Sequence, residues 1–191
     1  MELDTRRLIL REAERLFMQH GYAAVSMSQI VEEISRVRPL TMPAIYYHFA
    51  TKEALYAAVI LDVGERVGRV IQQAAATPGD FTGRVHALAG ALGQMRPERF
   101  TRMQLDMNEH LHEDARHQAY HMFVTEIVAP VVQVFADAAA SGELRAHVSP
   151  EVAASALLTL IGGLSGSESM MESPVSPHTV ASLLLEGIRA H

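Results

Sequence analysis

The chain has 191 residues, of which 49% are hydrophobic, enough to bury a full core in one or two domains. It contains no cysteine, which excludes disulfides and thiolate metal sites and fits a reducing compartment. The net charge of −6 and the pI of 5.9 argue against a surface that is basic throughout, so any attraction to nucleic acid has to be local.

Helical periodicity runs through almost the whole chain, and no strand pattern interrupts it. Ile9, Ala13, Leu16 and Phe17 share one face of a first helix over about Asp4–His20, which Gly21 stops by supplying a left-handed residue. Ser26 and Gln29 form a capping box with Val25 and Ile30 at the staple positions, and Met27, Ile30, Val31 and Ile34 give the second helix its stripe. Pro39 pushes Arg38 out of helical geometry, so this helix is expected to end by about Val37. Thr41 caps a short third helix with Pro43 in its first turn; Ile45 and Phe49 share one face, and Tyr47 and His48 point elsewhere.

Thr51 caps a fourth helix whose stripe of Leu55, Val59, Val63, Val67, Val70 and Ile71 reaches about Ala76 and can join a head to a body. Thr77-Pro78-Gly79-Asp80 is the clearest break. Helices are then predicted at about 82–95, 97–110, 113–140, 149–170 and 176–190, separated by Pro97, Ser141-Gly142, Ser149-Pro150 and Ser173-Pro174. No apolar run reaches the roughly 18 residues of a membrane span, and a start containing Glu2, Asp4, Arg6 and Arg7 does not read as a signal peptide, so a cytoplasmic protein is expected.

Charge is unevenly distributed. Residues 1–55 carry seven basic side chains (Arg6, Arg7, Arg11, Arg15, Arg36, Arg38 and Lys52) against seven acidic ones, leaving nine basic against fifteen acidic in the remainder. A neutral head can approach a phosphate backbone that repels the acidic body. The run Tyr46-Tyr47-His48-Phe49-Ala50-Thr51-Lys52 sets aromatic hydroxyls, an imidazole and a lysine around two helix ends, whose backbone amides can also meet phosphate.

These residues carry a resemblance. Ala13 with Leu16-Phe17, Gly21-Tyr22, Ser26-Met27 with Ile30, Ile45-Tyr46-Tyr47-His48-Phe49, and Lys52-Glu53 with Leu55 stand in the order found in TetR-family transcriptional regulators, and the head over roughly Leu8–Ala58 resembles theirs. A weaker likeness in the body rests on Gly142-Glu143-Leu144 and Gly162-Gly163-Leu164. The resemblance implies an all-α protein: a three-helix N-terminal helix-turn-helix DNA-binding domain, residues 1–51, and a helical ligand-binding and dimerisation domain, residues 52–191. It further implies a homodimer that binds a palindromic double-stranded DNA operator, acts as a repressor and responds to a small-molecule effector. No cofactor, metal, membrane or enzymatic activity is expected. The alternative is an all-helical enzyme or protein-interaction module that keeps the fold without DNA binding.

On this reading the third helix enters the major groove and offers Thr41, Met42, Ala44 and Tyr47 to the base edges. Tyr46, Tyr47, His48 and Lys52 position the head on the backbone, with a core role for Tyr46 and a helix-terminal cation role for His48 as alternatives, and Ser28 is a further candidate DNA contact. The segment from Ile34 to Thr41 is about four residues longer than the family's usual turn, and its Arg36 and Arg38 either reach phosphate or stand solvated.

In the body, Ala156, Leu157, Leu160, Gly163 and Leu164, with Val180, Leu184 and Ile188, are read as a dimer surface or, alternatively, an internal helix pair. Met95, Phe100, Met103, Met107, Met122 and Phe123, with His86, Arg99 and His110 for a polar end, are the expected lining of a pocket for a mostly apolar effector; plain core is the alternative. Pro130 should kink the helix that carries it. His117 and His121 have a spacing that permits a shared metal, but the zinc-protease pattern is missing and solvated histidines are the better reading of His110, His112, His117 and His121.

Overall fold

The structure is a computed structural model that describes residues 2–95, 97–163 and 175–190, without the side chains of 2, 3 and 97–101. Among the described residues the elements are α1 (Glu2–His20), α2 (Met27–Ser35), α3 (Met42–His48), α4 (Lys52–Ala75), α5 (Phe81–Gln94), α6 (Pro97–His110), α7 (Glu113–Phe123), a π-helical turn (Val124–Val128), α8 (Ala129–Ala140), α9 (Pro150–Gly163) and α10 (Pro177–Ile188). The class is all-α, and the one β-type contact described is an isolated bridge between Leu144 and Arg189.

The local stops follow the chemistry of the sequence. Gly21 adopts φ 82° and returns its amide to Phe17 O at 2.8 Å, ending α1. At α2 the Gln29 amide donates to Ser26 Oγ while the Ser26 amide donates to Gln29 Oε1 at 2.7 Å, so the capping box is closed in both directions. The α2 helix ends at Ser35, two residues before the expected limit, because Ser35 Oγ turns to the Leu40 carbonyl at 3.0 Å and closes the following turn.

Packing divides the chain into two compact units, Met1–Val63 with Arg99–Tyr120, and Gly64–Glu98 with His121–His191. This differs from the sequence division at residue 51. In the first unit Ile9, Phe17, Ile30, Ile34, Ile45, Leu55, Tyr56 and Val59 form a core that also buries Met103 of α6 and Leu111. Periodicity identifies a buried face but not what covers it, and α6 covers the three N-terminal helices and the start of α4 from some fifty residues further along the chain. Each such side chain contributes roughly 1.5–3 kcal/mol by leaving water.

The second unit buries Ile71, Val85, Leu88, Ile127, Val131, Val134, Phe135, Leu157, Ile161, Ala181 and Leu185. The stretch Glu113–Ala140 is apolar and long enough to cross a membrane by length and composition, contrary to the expectation that no such stretch exists. Its Ile127, Val131, Val134, Phe135 and Ala138 are core residues of this unit, while Glu126 accepts from Gln72 at 2.7 Å and Asp137 pairs with Arg84 at 3.0 Å.

Pro130 acts through the π turn. The Ala129 amide donates to Val124 O, one residue further back than in an α-helix, so the helix widens just before the proline ring that would otherwise crowd the preceding turn. Two glycines on α4 face this region. A Cβ on Gly64 would collide with the Met122 side chain, and one on Gly68 would lie 2.7 Å from Glu126 Cβ and 3.2 Å from its carbonyl oxygen.

Candidate nucleic-acid interface

The head gathers several of its predicted DNA residues around one surface feature. An open depression of about 380 Å³ is lined by Ala23, Ala24, Val25, Ser26, Met27, Ser28, Met42, Tyr46 and Lys52. It lies at the N-terminus of α2, where the helix dipole places partial positive charge, although Ser26 and Gln29 already occupy each other's amides. Ser28 adds a hydroxyl 2.9 Å from Ser26 Oγ, Tyr46 a phenol and Lys52 an ammonium. That is the donor set an anion requires. A neighbouring depression of about 310 Å³, lined by Leu16, His20, Ala24, Val25, Gln29, Glu32 and Glu33, has two carboxylates and no lysine or arginine, and is electrostatically the wrong place for phosphate.

Helix α3 is fixed by Thr41, whose Oγ1 accepts from the Ala44 amide at 3.4 Å, and by burial of Ile45. Tyr47 is 76% exposed and Tyr46 46% exposed, so the core alternative for Tyr46 does not describe the fold. Tyr47 and His48 meet edge to face at 5.3 Å, with His48 in the last turn of α3. Thr41 is exposed, whereas Met42 and Ala44 are half-buried at the start of the helix. Thr51 Oγ1 accepts from the Ala54 amide at 3.0 Å and starts α4, which brings Lys52 to the depression.

Lys52 is the only lysine in the sequence. Its ammonium lies 4.1 Å from the centroid of the Tyr22 ring. Tyr22 in turn stacks on His110 at 4.6 Å and packs against Tyr56 at 4.9 Å, and its amide donates to Asp106 Oδ2 at 3.0 Å. The Tyr56 hydroxyl reaches the same Asp106 oxygen at 3.5 Å; burial, reinforced by that carboxylate, raises its pKa well above the usual phenol range. Burial also lowers the Lys52 pKa, a shift the Asp106 charge opposes. Nearby, Glu53 accepts from the His112 amide at 2.7 Å and faces its imidazole at 3.3 Å.

The arginines of the extended turn are paired within the head. Arg36 contacts Glu32 at 3.3 Å and Glu33 at 2.7 Å, and Arg38 contacts Asp4 at 3.0 Å. Carboxylates on α1 and α2 hold both guanidinium groups, which stay partly exposed to solvent.

The residues expected to line a body pocket separate. Met103, Met107 and His110 belong to the first unit, where Met103 is buried core and Met107 packs against that core. His86, Met95, Met122 and Phe123 belong to the second. There His86 stacks on His178 at 5.5 Å, Met95 packs on the core, Met122 abuts Gly64 and Phe123 is 40% exposed. The Arg99 and Phe100 side chains lie outside the described residues, as do Leu164 and the Ser173-Pro174 break.

Of the expected dimer residues, Leu157, Val180 and Ile188 are buried in the second unit's own core and are not surface residues. They fall there because helical spacing gives α9 and α10 an inward face as well as an outward one. Ala156 and Leu184 are half-buried, Leu160 is 48% exposed and Gly163 is exposed. Val152 and Leu183 add exposed apolar surface to the same helices. No group of three or more metal-binding side chains is gathered among the described residues, and His110, His112 and His117 each face a different partner: Tyr22, Glu53 and Glu113.

Sequence reasoning missed Asp106 and the place of Tyr22 beneath Lys52. Tyr22 follows a helix-stopping glycine and Asp106 lies 84 residues further on, so no local pattern joins them.

Known proteins share the head's family pattern and the fold. Residues 9–59 match the family described as bacterial regulatory proteins, tetR family. The HTH-type transcriptional repressor AcnR of Corynebacterium glutamicum is 26% identical over 163 residues, covering 84% of this chain and 79% of the relative. A TetR-family transcriptional regulator structure from Vibrio parahaemolyticus superposes with a TM-score of 0.76 at 18% identity, covering 97% and 99% of the two chains. The structure of AibR with isovaleryl coenzyme A and operator DNA gives 0.67 at 19% identity, covering 95% and 96%. Residues 9–59 therefore carry the helix-turn-helix head of the tetR family of bacterial regulatory proteins, on a helical body of the fold seen in these structures.

Proposed function

We propose that the protein is a homodimeric cytoplasmic repressor that binds a palindromic operator and is released by a small, mostly apolar effector. The observation that carries the DNA half is the depression at the start of α2, where Ser28, Tyr46 and Lys52 offer three kinds of donor beside the exposed Tyr47 of α3. On this reading one backbone phosphate occupies the depression, and Thr41, Met42, Ala44 and Tyr47 meet the bases. Only Thr41 and Tyr47 carry hydrogen-bonding groups, so sequence preference rests heavily on thymine-methyl contact and DNA shape. For Arg36 and Arg38 to touch phosphate they must exchange carboxylate partners, which costs little for exposed pairs.

The dimer reading is supported by Val152, Leu160 and Leu183, large apolar side chains left on the outer faces of α9 and α10. Gly162 and Gly163 have open space where a Cβ would stand, so a neighbouring backbone can come close. The effector reading is supported by the fold shared with AibR, whose structure holds both isovaleryl coenzyme A and operator DNA.

Selection of bound duplexes from random DNA tests the proposal. The expected result is a palindromic consensus bound with a steep salt dependence, which a ligand found by screening then weakens. Absence of any enriched sequence, together with turnover of a substrate or capture of a protein partner, would favour the enzyme or interaction-module reading.

A further inference from the structure

Helix α6 does more in the head than cover its core. It places two polar side chains, Asp106 and His110, one helical turn apart on the only aromatic ring that Lys52 contacts among the described residues. Asp106 fixes the backbone of Tyr22 by accepting its amide at 3.0 Å, and His110 fixes the ring by stacking on it at 4.6 Å with an interplanar angle of 27°. Neither contact is needed to end α1, since Gly21 completes that stop through Phe17. Both converge on the residue whose ring face holds the ammonium of Lys52, a residue that lines the depression.

We propose that Asp106 and His110 are positioning residues for Lys52: through Tyr22 they set where the ammonium of the chain's one lysine stands beside the start of α2. The proposal rests on the reading of Lys52 as a phosphate contact, and deepens it by assigning that contact's geometry to a helix outside the family-matched residues 9–59. A cation over a ring is held by the ring's quadrupole, so the ammonium follows the ring. Without the Asp106 acceptor or the His110 stack, Tyr22 gains freedom, and Lys52 loses the preorganisation that makes its contact favourable.

Because Lys52 is the only lysine, full-length protein labelled with carbon-13 lysine gives one side-chain Hε–Cε signal. In the wild-type protein this signal is shifted upfield by the Tyr22 ring. In His110→Ala and Asp106→Ala it moves toward the value of a free lysine, while His110→Phe and Asp106→Asn, which keep a stacking ring and an amide acceptor, hold it near the wild-type position. On a duplex selected from random DNA, His110→Ala and Asp106→Ala weaken binding about three- to tenfold, and each has no further effect in a Lys52→Ala background. An unchanged lysine signal in both alanine variants overturns the proposal, as does a binding loss that persists when Lys52 is already alanine. A signal that moves while Lys52→Ala alone binds DNA like the wild type retains the positioning role and overturns the phosphate reading.

Discussion

Replacing Lys52 by alanine separates an electrostatic contact from a structural one, and the size of the effect follows from the site. One phosphate in the depression at the start of α2 means one contact per head. Each neutralised phosphate contributes about 0.9 to the slope of log K against log salt, so a dimer with two heads loses about 1.8 units in Lys52→Ala. The ratio of wild-type to variant affinity should then shrink about twelvefold between roughly 50 and 200 mM salt, which fluorescence anisotropy on a selected duplex can resolve. Folding should change little. The contact over Tyr22 is worth about 0.5–1 kcal/mol at a partly exposed site. Against it stand the burial that lowers the lysine's pKa and an unfavourable place at a helix N-terminus. The sign of the pH effect is fixed: with the folded-state pKa below the ordinary 10.5, the protonated form is the one folding disfavours. That penalty is present at neutral pH and disappears as pH rises through the folded value toward 10.5, so the variant should not be less stable at neutral pH by more than about 1 kcal/mol. An equal affinity loss at every salt concentration, or a large drop in melting temperature, would refute the assignment.

Three further outcomes are expected. Leu160→Glu should convert a micromolar dimer into monomers in sedimentation, while Leu157→Ala, fully buried, should cost about 2–5 kcal/mol of stability in denaturant titrations; a monomeric wild-type protein would defeat the dimer reading. Gly68→Ala places a Cβ 2.7 Å from Glu126 and should destabilise by about 1–3 kcal/mol despite its better helix propensity. Gly187→Ala, with open space around it, should be neutral or stabilising in the same assay. Hydrogen bonding from Gln133, then Arg84, holds the Asp137 carboxyl below its ordinary 3.8, so its stabilising effect is present above that pH and is lost as pH falls through the folded value; Asp137→Asn should flatten that part of the acid limb in pH-dependent unfolding.

The elements of the head were legible because their signals are local. Ser26 with Gln29, Thr41 before Pro43, and Thr51 before Glu53 each act within three residues, and the structure shows each cap made by the side chain the pattern implies. The body was legible as helices but not as surfaces. Leu157 and Leu160 both read as interface from their apolar character, yet they stand three residues apart on α9, one at 0% exposure and the other at 48%. Composition cannot assign those faces, since the choice depends on which side α5, α8 and α10 cover. The same limit hid the close approach at Gly68, where glycine matters through Glu126, 58 positions away in the chain.

The site was legible in proportion to how much of it lies on the first 52 residues. Ser28, Met42, Tyr46 and Lys52 come from three helices, and family order alone brought them into one set; the structure brings the same four around one depression. Asp106 was invisible because it carries no pattern of its own: on α6 it reads as one more polar residue on a solvent face. What selects it is the geometry of the ring it serves. Every other strongly basic residue in this sequence is arginine, and the one lysine stands over Tyr22. An ammonium is a compact charge with three rotatable donors, able to keep its place above a ring while turning a donor toward an oxygen, whereas a guanidinium that stacks on a ring commits its plane to it. Lys52→Arg should therefore keep the charge and the salt slope but lose affinity for the selected duplex; an arginine variant that binds as tightly as the wild type would mean that charge alone, and not the placement set by Tyr22, is what this position supplies.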